Sequence, residues 1–146
     1  MSDNRKYEML KLENQICFPL YAASREVVKR YRPFLEPLGL TYTQYIVMLV
    51  VWEEGVISVK ELGERLYLDS GTLSPVLKSL AAKGVLRRER SQQDERVVRV
   101  SVTEEGLSLR ERAAGIPKKM DGSVPLTKEE AGELYRLLYK LLENLD

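Results

Sequence analysis

Five N-terminal capping signals decide most of what this chain can fold into. Thr41-Tyr-Thr-Gln44, Ser58-Val-Lys-Glu61 and Thr127-Lys-Glu-Glu130 each set a hydroxyl three residues ahead of Glu or Gln. At that spacing the two side chains satisfy each other's otherwise unpaired backbone amides at a helix start. Thr103, ahead of "EEG", and Asp69, ahead of "SGTLSPVLKSLAAKG", are two further N-caps. The first box opens a helix through "YIVMLVVWEE", which Gly55 ends in the left-handed conformation. The second opens "VKELGERLY", whose Val59, Leu62 and Leu66 share one face. The Asp69 helix carries Pro75, where a slight bend is expected, and closes at Gly84. The last box opens a helix to about Leu145.

Between Gly84 and Thr103 the period changes from helical to alternating. "VLRRER" and "RVVRVSV" set Val on alternate positions around "SQQDE", which predicts a β-hairpin with a charged tip. "PKKMDGSVP" (117–125) reads as the loop before the last helix. The fold class is therefore mainly α with a small β-hairpin. Two short helices joined by a tight turn and followed by a basic hairpin make a winged helix-turn-helix.

Charge supports a nucleic-acid role for that unit. The chain carries a net charge of only +1, but Val76–Val100 holds seven basic and three acidic residues. That segment is +4, which leaves −3 for the rest, and a local basic stripe suits phosphate contact. In a helix-turn-helix the second helix enters the major groove, its N-terminal residues toward base edges. Here those are Asp69 as the cap, then Ser70, Gly71, Thr72 and Ser74, with Lys78 one turn on. Leu73, Val76, Leu77 and Leu80 fall on the core side. In the hairpin Asp94 is placed to fix the guanidinium of Arg96, which suits a narrow minor groove. Arg88 and Arg90 are expected to face phosphates. A winged helix used only for protein contact would leave these arginines merely solvated.

Composition closes other routes. There is no histidine and a single cysteine, Cys17, so neither a Cys/His zinc site nor a nucleophile–histidine pair can form. No phosphate-binding glycine loop or nucleophile-elbow motif occurs, so no metal ligands, cofactor or catalytic residues are assigned and an enzyme is not expected. The longest apolar run, "YIVMLVVW", is too short for a bilayer. The N-terminus lacks a signal-like apolar stretch, which predicts a cytoplasmic protein with no membrane partner. Cys17, in "ENQICFPLY", then reads either as a small apolar packing residue or as a reactive thiol. The last helix repeats Leu134, Leu137, Leu138, Leu141, Leu142 and Leu145 at helical spacing, a face for a partner subunit or for ordinary core packing.

The stretch "LGERLYLDSGTLSPVLKSLAAKGVLRRERSQQDERVVRVSVTEEG" resembles the winged-helix core of MarR-type regulators. "LYLDSGTLSPVLK" together with "LENQICF" is similar to one subgroup, the organic-hydroperoxide-sensing repressors with one cysteine. The likeness runs from about Lys11 to Gly106. It implies a homodimer in which N- and C-terminal helices intertwine, reading a palindromic double-stranded operator. Residues 1–40 would be a dimerisation and sensor region, 41–102 the winged helix-turn-helix, and 103–146 C-terminal dimerisation helices, all one intertwined domain. It implies that Cys17 is the peroxide sensor, with Tyr21 and Tyr31 stabilising its thiolate, at least one across the dimer. Those tyrosines would otherwise simply pack. With no second cysteine, oxidised Cys17 would be capped by a small cellular thiol or cyclise to a sulfenamide. Pro19 departs from the Leu or Ala expected there and alters the local helix start. Two rival readings remain at this point: a repressor relieved by a non-covalent hydrophobic ligand, and a cysteine-based peroxidase.

Overall fold

The computed structural model describes residues 2–145 of the chain. The chain divides into two compact units, residues 1–116 and 117–146. The first contains α1 (Ser2–Glu8), α2 (Cys17–Leu35), α3 (Tyr42–Glu54), β1 (Val56–Ser58), α4 (Val59–Leu66), α5 (Ser70–Ala82), β2 (Leu86–Arg90), β3 (Val98–Val102) and α6 (Glu104–Ala113). Short 3-10 turns precede and follow α2.

The capping signals act where the sequence puts them. Thr41 and Gln44 form the complete reciprocal box at the start of α3. Asp69, Ser58 and Thr103 each accept one amide hydrogen bond at the starts of α5, α4 and α6. At Ser58 only half of the expected box forms: the hydroxyl accepts from the Glu61 amide, and the Glu61 side chain does not return the bond. Gly55 ends α3 at φ 76°, but its ψ of −53° lies outside the left-handed helical region. Val56 begins β1 directly after it, so the chain turns from helix into strand without a left-handed cap.

β1 is not expected from the sequence, and it completes a three-stranded antiparallel sheet in the order β1-β3-β2. Val56, Ile57 and Ser58 pair with Ser101, Val100 and Arg99. On the other side of β3, Leu86 opposes Val102 and Arg90 opposes Val98. Three residues are too few to show an alternating pattern, which is why "VIS" reads as a linker.

α3 forms the centre of the core. Tyr45, Val47, Met48, Val50 and Val51 are all buried, as a helix apolar on nearly every side must be. Leu35, Leu40, Leu62, Leu73, Leu77, Leu80, Val100 and Leu109 pack the rest of this core. Val76 is only half-buried, at the edge of the face where the sequence placed it. Among the described residues Gln44 is the one buried polar side chain, and it is fully engaged. Its Nε2 donates to Ser79 Oγ of α5 at 2.9 Å. Its Oε1 accepts from the Thr41 amide and from Lys83 Nζ, and Lys83 also donates to the Gly39 carbonyl.

The junction between the sheet and α6 is equally specific. Thr103 Oγ1 donates to the Gly84 carbonyl at 2.6 Å and accepts from the Gly106 amide. Trp52 Nε1 donates to the Gly106 carbonyl at 2.8 Å. A Cβ on Gly106 would lie 2.1 Å from the Val85 carbonyl oxygen, so the backbones of α6 and the base of the hairpin touch only because this residue has no side chain.

The second unit contains α7 and α8 (Lys128–Glu143). α7 spans Ile116–Asp121 and so occupies part of the segment expected to be loop. Thr127 and Glu130 form the second complete capping box. Along α8, Leu134, Leu137, Leu141 and Leu142 are exposed, and Tyr135 and Tyr139 form a tilted pair, 4.7 Å between ring centroids. Among the described residues no single helix is long and apolar enough to cross a membrane.

Gly106→Ala is expected to lower stability by about 3 kcal/mol, the upper end of the cost of overpacking. Gly115, whose Cβ would meet nothing within 4 Å, serves as the control, and Gly115→Ala should change stability by less than ~0.5 kcal/mol. Urea unfolding followed by tryptophan fluorescence reads both. Equal midpoints for the two variants would show that the close approach does not constrain the fold.

Candidate functional site

The reading surface is built outward from a leucine stripe. Leu73, Leu77 and Leu80 recur at helical spacing along α5 and are almost fully buried, so the opposite face of the helix must point to solvent. Ser70, Gly71, Thr72, Ser74 and Lys78 all lie on that exposed face. Asp69 precedes them as N-cap, its Oδ1 accepting from the Thr72 amide at 2.7 Å. Hydrogen bonds from the Thr72 amide and hydroxyl, with a smaller one from the Gly71 amide, hold its carboxyl below the usual carboxylate range. The cap is therefore intact at neutral pH and is lost only as acid protonates Asp69.

The turn between α4 and α5 is tight. A Cβ on Gly63 would come within 2.8 Å of the Leu68 carbonyl oxygen, so a larger residue there would push the turn away from α4. Leu68 donates its amide to the Gly63 carbonyl, and Tyr67 donates to Glu64.

The hairpin supplies the other wall. Leu86, Arg88 and Arg90 share one sheet face with Val98 and Val100, because residues directly opposite in the ladder point the same way. Near the base that face is buried at Leu86 and Val100, and further out it is exposed. Arg87 and Glu89 lie on the other face, 3.8 Å apart. At the tip Arg96 Nε and Nη2 donate to the two Asp94 oxygens at 3.1 and 3.3 Å, and the Arg96 amide donates to Oδ1 as well. These bonds hold the Asp94 carboxyl below its usual range, so the pairing persists through neutral pH. Even so, 91% of the Arg96 side chain is open to solvent. Arg90 is turned inward along the wing, its Nη1 donating to the Glu95 carbonyl.

Between the two walls lies a groove of about 850 Å³. Ser70, Ser74, Arg88 and Arg96 line it over a floor that includes Leu73, Leu77 and Val98. With Asp69, which also lines it, five of the residues singled out from sequence for DNA contact thus meet in one concavity. Thr72 and Lys78 stand on the exposed helix face beside it, and Arg90 braces the hairpin tip. Ser58, Lys60 and Tyr67 also line the groove, and sequence reasoning did not select them. Lys60 could have been found from its polar position on the amphipathic α4. The place of Tyr67 depends on a backbone conformation that no local pattern reveals.

The thiol lies elsewhere. Cys17 is the first residue of α2 and is exposed, contrary to the packing role that a lone cysteine most simply suggests. Pro19 falls within the first turn, where its missing amide costs no helix hydrogen bond. Ile16, Phe18 and Leu20, its apolar neighbours in sequence, are exposed as well. Tyr21 is one turn further on, with the Arg25 guanidinium 4.8 Å from its ring centroid.

Tyr31 is not brought to Cys17 within the chain. Fourteen residues separate them on one continuous helix, about 21 Å at 1.5 Å per residue. Tyr31 instead packs with Tyr42 and Tyr45 of α3, at 4.9 and 5.7 Å between ring centroids. Burial, reinforced by these neighbouring phenols, raises the Tyr42 and Tyr45 pKa values, so both remain protonated donors. Among the described residues no cluster of three His, Cys, Asp or Glu side chains could hold a metal ion.

Known proteins share this architecture. The family described as transcriptional regulator SarA/Rot matches residues 29–112. The organic hydroperoxide resistance transcriptional regulator of Bacillus subtilis is 48% identical over 140 residues, covering 96% of this chain and 95% of that protein. The HTH-type transcriptional regulator SarZ of Staphylococcus epidermidis is 40% identical over 123 residues, covering 84% and 83%. Among solved structures, reduced AbfR bound to DNA superposes with a TM-score of 0.80 at 34% identity, covering 98% of this chain and 99% of that one; AbfR is a protein of Staphylococcus epidermidis. The first two relatives are named as regulators rather than enzymes, in agreement with the resemblance carried by "LYLDSGTLSPVLK" and "LENQICF". By sequence and by fold, the chain belongs to the MarR-type winged-helix transcriptional regulators.

Proposed function

We propose that this protein is a homodimeric repressor that binds a palindromic operator and releases it when an organic hydroperoxide oxidises Cys17. The observation that carries the reading is a single exposed thiol at the first position of α2, set among apolar side chains, in a chain that also presents a basic reading face. The 48% identity to a regulator named for organic hydroperoxide resistance supports it. In the dimer α5 enters the major groove, with Ser70, Gly71, Thr72, Ser74 and Lys78 toward the DNA. Arg96, aimed by Asp94, reaches the minor groove, and Arg88 contacts phosphate. Arg90 holds the wing in shape through Glu95.

Dimer formation is supported by what the single chain leaves uncovered. α2 has 19 residues and buries only Leu35, while Phe18, Leu20 and Val27 are exposed. With the leucines of α8, that is more apolar helix surface than a lone chain in water normally presents. The N-terminal helices up to about residue 40 and the helices after residue 103 supply the interface. A two-fold partner also answers the separation of about 21 Å on α2: Tyr31 of one subunit meets Cys17 of the other, with Tyr21 beside it, and the phenol hydroxyls donate to the thiolate. The positive end of the α2 dipole favours the same charge.

The chemistry needs only the peroxide and a thiol. The Cys17 thiolate attacks the terminal oxygen of ROOH, the O–O bond breaks, and a sulfenic acid and the alkoxide result, the latter taking a proton to leave as the alcohol. A small cellular thiol then displaces hydroxide from sulfur, which leaves as water, to give a mixed disulfide. Attack by a backbone amide would instead give a sulfenamide. The apolar surroundings favour alkyl or lipid hydroperoxides over hydrogen peroxide. Either product adds bulk or removes the phenol hydrogen bonds between α2 helices, which alters the spacing of the two reading heads. The protein works in the cytoplasm, where DNA and small thiols are both present.

Two measurements test this. Fluorescence anisotropy with DNA from upstream of the protein's own coding sequence, with cumene hydroperoxide and a small thiol, should show release for wild type and retention for Cys17→Ser. Retention by both would leave the DNA-binding reading standing and replace the sensor with a non-covalent ligand. Sustained thiol-dependent peroxide consumption, beyond one equivalent per Cys17, would instead point to a peroxidase.

The wing gives the second. Arg96→Ala should weaken operator binding by about tenfold or more and flatten its salt dependence, since one phosphate-neutralising charge per subunit is removed. Asp94→Glu keeps both charges of the wing pair and loses only the aim of Arg96. It should weaken binding less, about fivefold, with the salt slope unchanged. Wild-type affinity and slope for Arg96→Ala would remove the wing from the interface.

A further inference from the structure

Tyr67 sits where a helix ordinarily ends in glycine. It is the residue just past α4, with φ 55° and ψ 38°. Its amide donates to the Glu64 carbonyl while the next amide, of Leu68, donates to Gly63. This pair of bonds defines the left-handed helix stop, a position that disfavours any residue with a Cβ and most often carries glycine. Among the described residues Tyr67 is the one non-glycine residue with positive φ. The turn itself gains nothing from a tyrosine that it would not gain from glycine.

Nor does the core hold the side chain in place. The residue is 54% exposed. Among the described residues no hydrogen bond or ring contact engages its phenol. Yet it lines the groove between α5 and the hairpin, in company with Lys60, Ser70, Arg88 and Arg96. When α5 occupies the major groove and the wing the minor groove, the sugar–phosphate strand that separates the two grooves has to run through this concavity. A strained residue kept at a ligand-facing position signals a functional constraint.

We propose that Tyr67 is a DNA-backbone contact: its phenol hydroxyl donates a hydrogen bond to a phosphate oxygen of the strand lying between α5 and the wing. This rests on the DNA-binding reading above and adds to it a contact from the turn of the helix-turn-helix. The contact is sequence-independent, because every nucleotide offers the same phosphate oxygens. It is also neutral, so it strengthens binding without displacing a counterion. The left-handed backbone limits the directions in which the side chain can leave the turn.

The test uses the full chain and a duplex enriched by the wild-type protein from a random library, with affinity measured at several salt concentrations and stability by urea unfolding. Tyr67→Phe should bind roughly fivefold more weakly per half-site, with an unchanged slope of affinity against salt. Tyr67→Gly should bind at least as weakly as Tyr67→Phe, yet be no less stable than wild type, since the strain is gone. Lys78→Ala, which removes a charge, should flatten the slope. Wild-type affinity for Tyr67→Phe or Tyr67→Gly would overturn the proposal and leave the DNA-binding reading intact. A Tyr67→Gly variant that loses stability together with affinity would overturn it too, since the effect would then be structural. Failure of the wild type to enrich any duplex would sink the DNA-binding reading itself.

Discussion

The burial of Leu73, Leu77 and Leu80 is the constraint on which the reading surface depends. Each contributes about 2 kcal/mol by leaving water, and their spacing leaves α5 one rotational setting on the core. Once that setting is fixed, Ser70, Gly71, Thr72, Ser74 and Lys78 have nowhere to point except outward. The short α4 gives α5 its angle, through a turn that Gly63 allows to come within contact distance of the helix. The hairpin is fixed separately, by the backbone contact at Gly106 and the Thr103–Gly84 hydrogen bond. The basic groove is therefore a consequence of apolar and backbone packing. Of the charged residues that line it, Asp69 caps α5, while Lys60, Arg88 and Arg96 take no part in that packing, which leaves them for a ligand.

The N-terminal helix α2 obeys the opposite logic. α2 is a continuous helix with one buried residue, and a rigid rod of this length keeps its two ends apart. No rotamer of Cys17 or Tyr31 closes about 21 Å. Within one chain the two side chains therefore share no site, and the joint site proposed above needs a second chain. In the dimer proposed above, the exposed Ile16, Phe18 and Leu20 would serve both as interface and as the apolar lining met by a hydroperoxide's alkyl group.

Sequence disclosed the parts that rest on local rules. N-caps at Thr41, Ser58, Asp69, Thr103 and Thr127 are legible because capping is a contact between near neighbours in the chain. The Asp94–Arg96 pair is legible for the same reason. β1 escapes notice because three residues carry no period, and their partner in β3 lies more than forty residues away. α7 escapes it because its six residues lie in a Pro- and Gly-flanked segment that reads as loop. The inward turn of Arg90 depends on the hairpin's tip geometry, and the strain at Tyr67 on the way α4 stops. The exposure of Cys17 is the least legible feature of all: a thiol between Ile and Phe looks buried until the fold shows that the helix it begins is uncovered.

One joint ties α2 to the reading head, and its chemistry says how motion can cross it. At the end of α2, Tyr31 packs on Tyr42 and Tyr45 at the start of α3. Between those two tyrosines in sequence, Gln44 reaches across to Ser79 of α5, and Lys83 at the end of α5 returns to Gln44 and to the Gly39 carbonyl. Arg112 of α6 donates to the Pro37 carbonyl in the same region. Gln44 is buried with both ends of its amide satisfied, and breaking either bond would strand a polar group at a cost of about 1–3 kcal/mol. Such a joint resists bending within one subunit. A displacement of α2 is therefore carried to α3 and α5 as a movement of the whole unit and not as a bend at this joint.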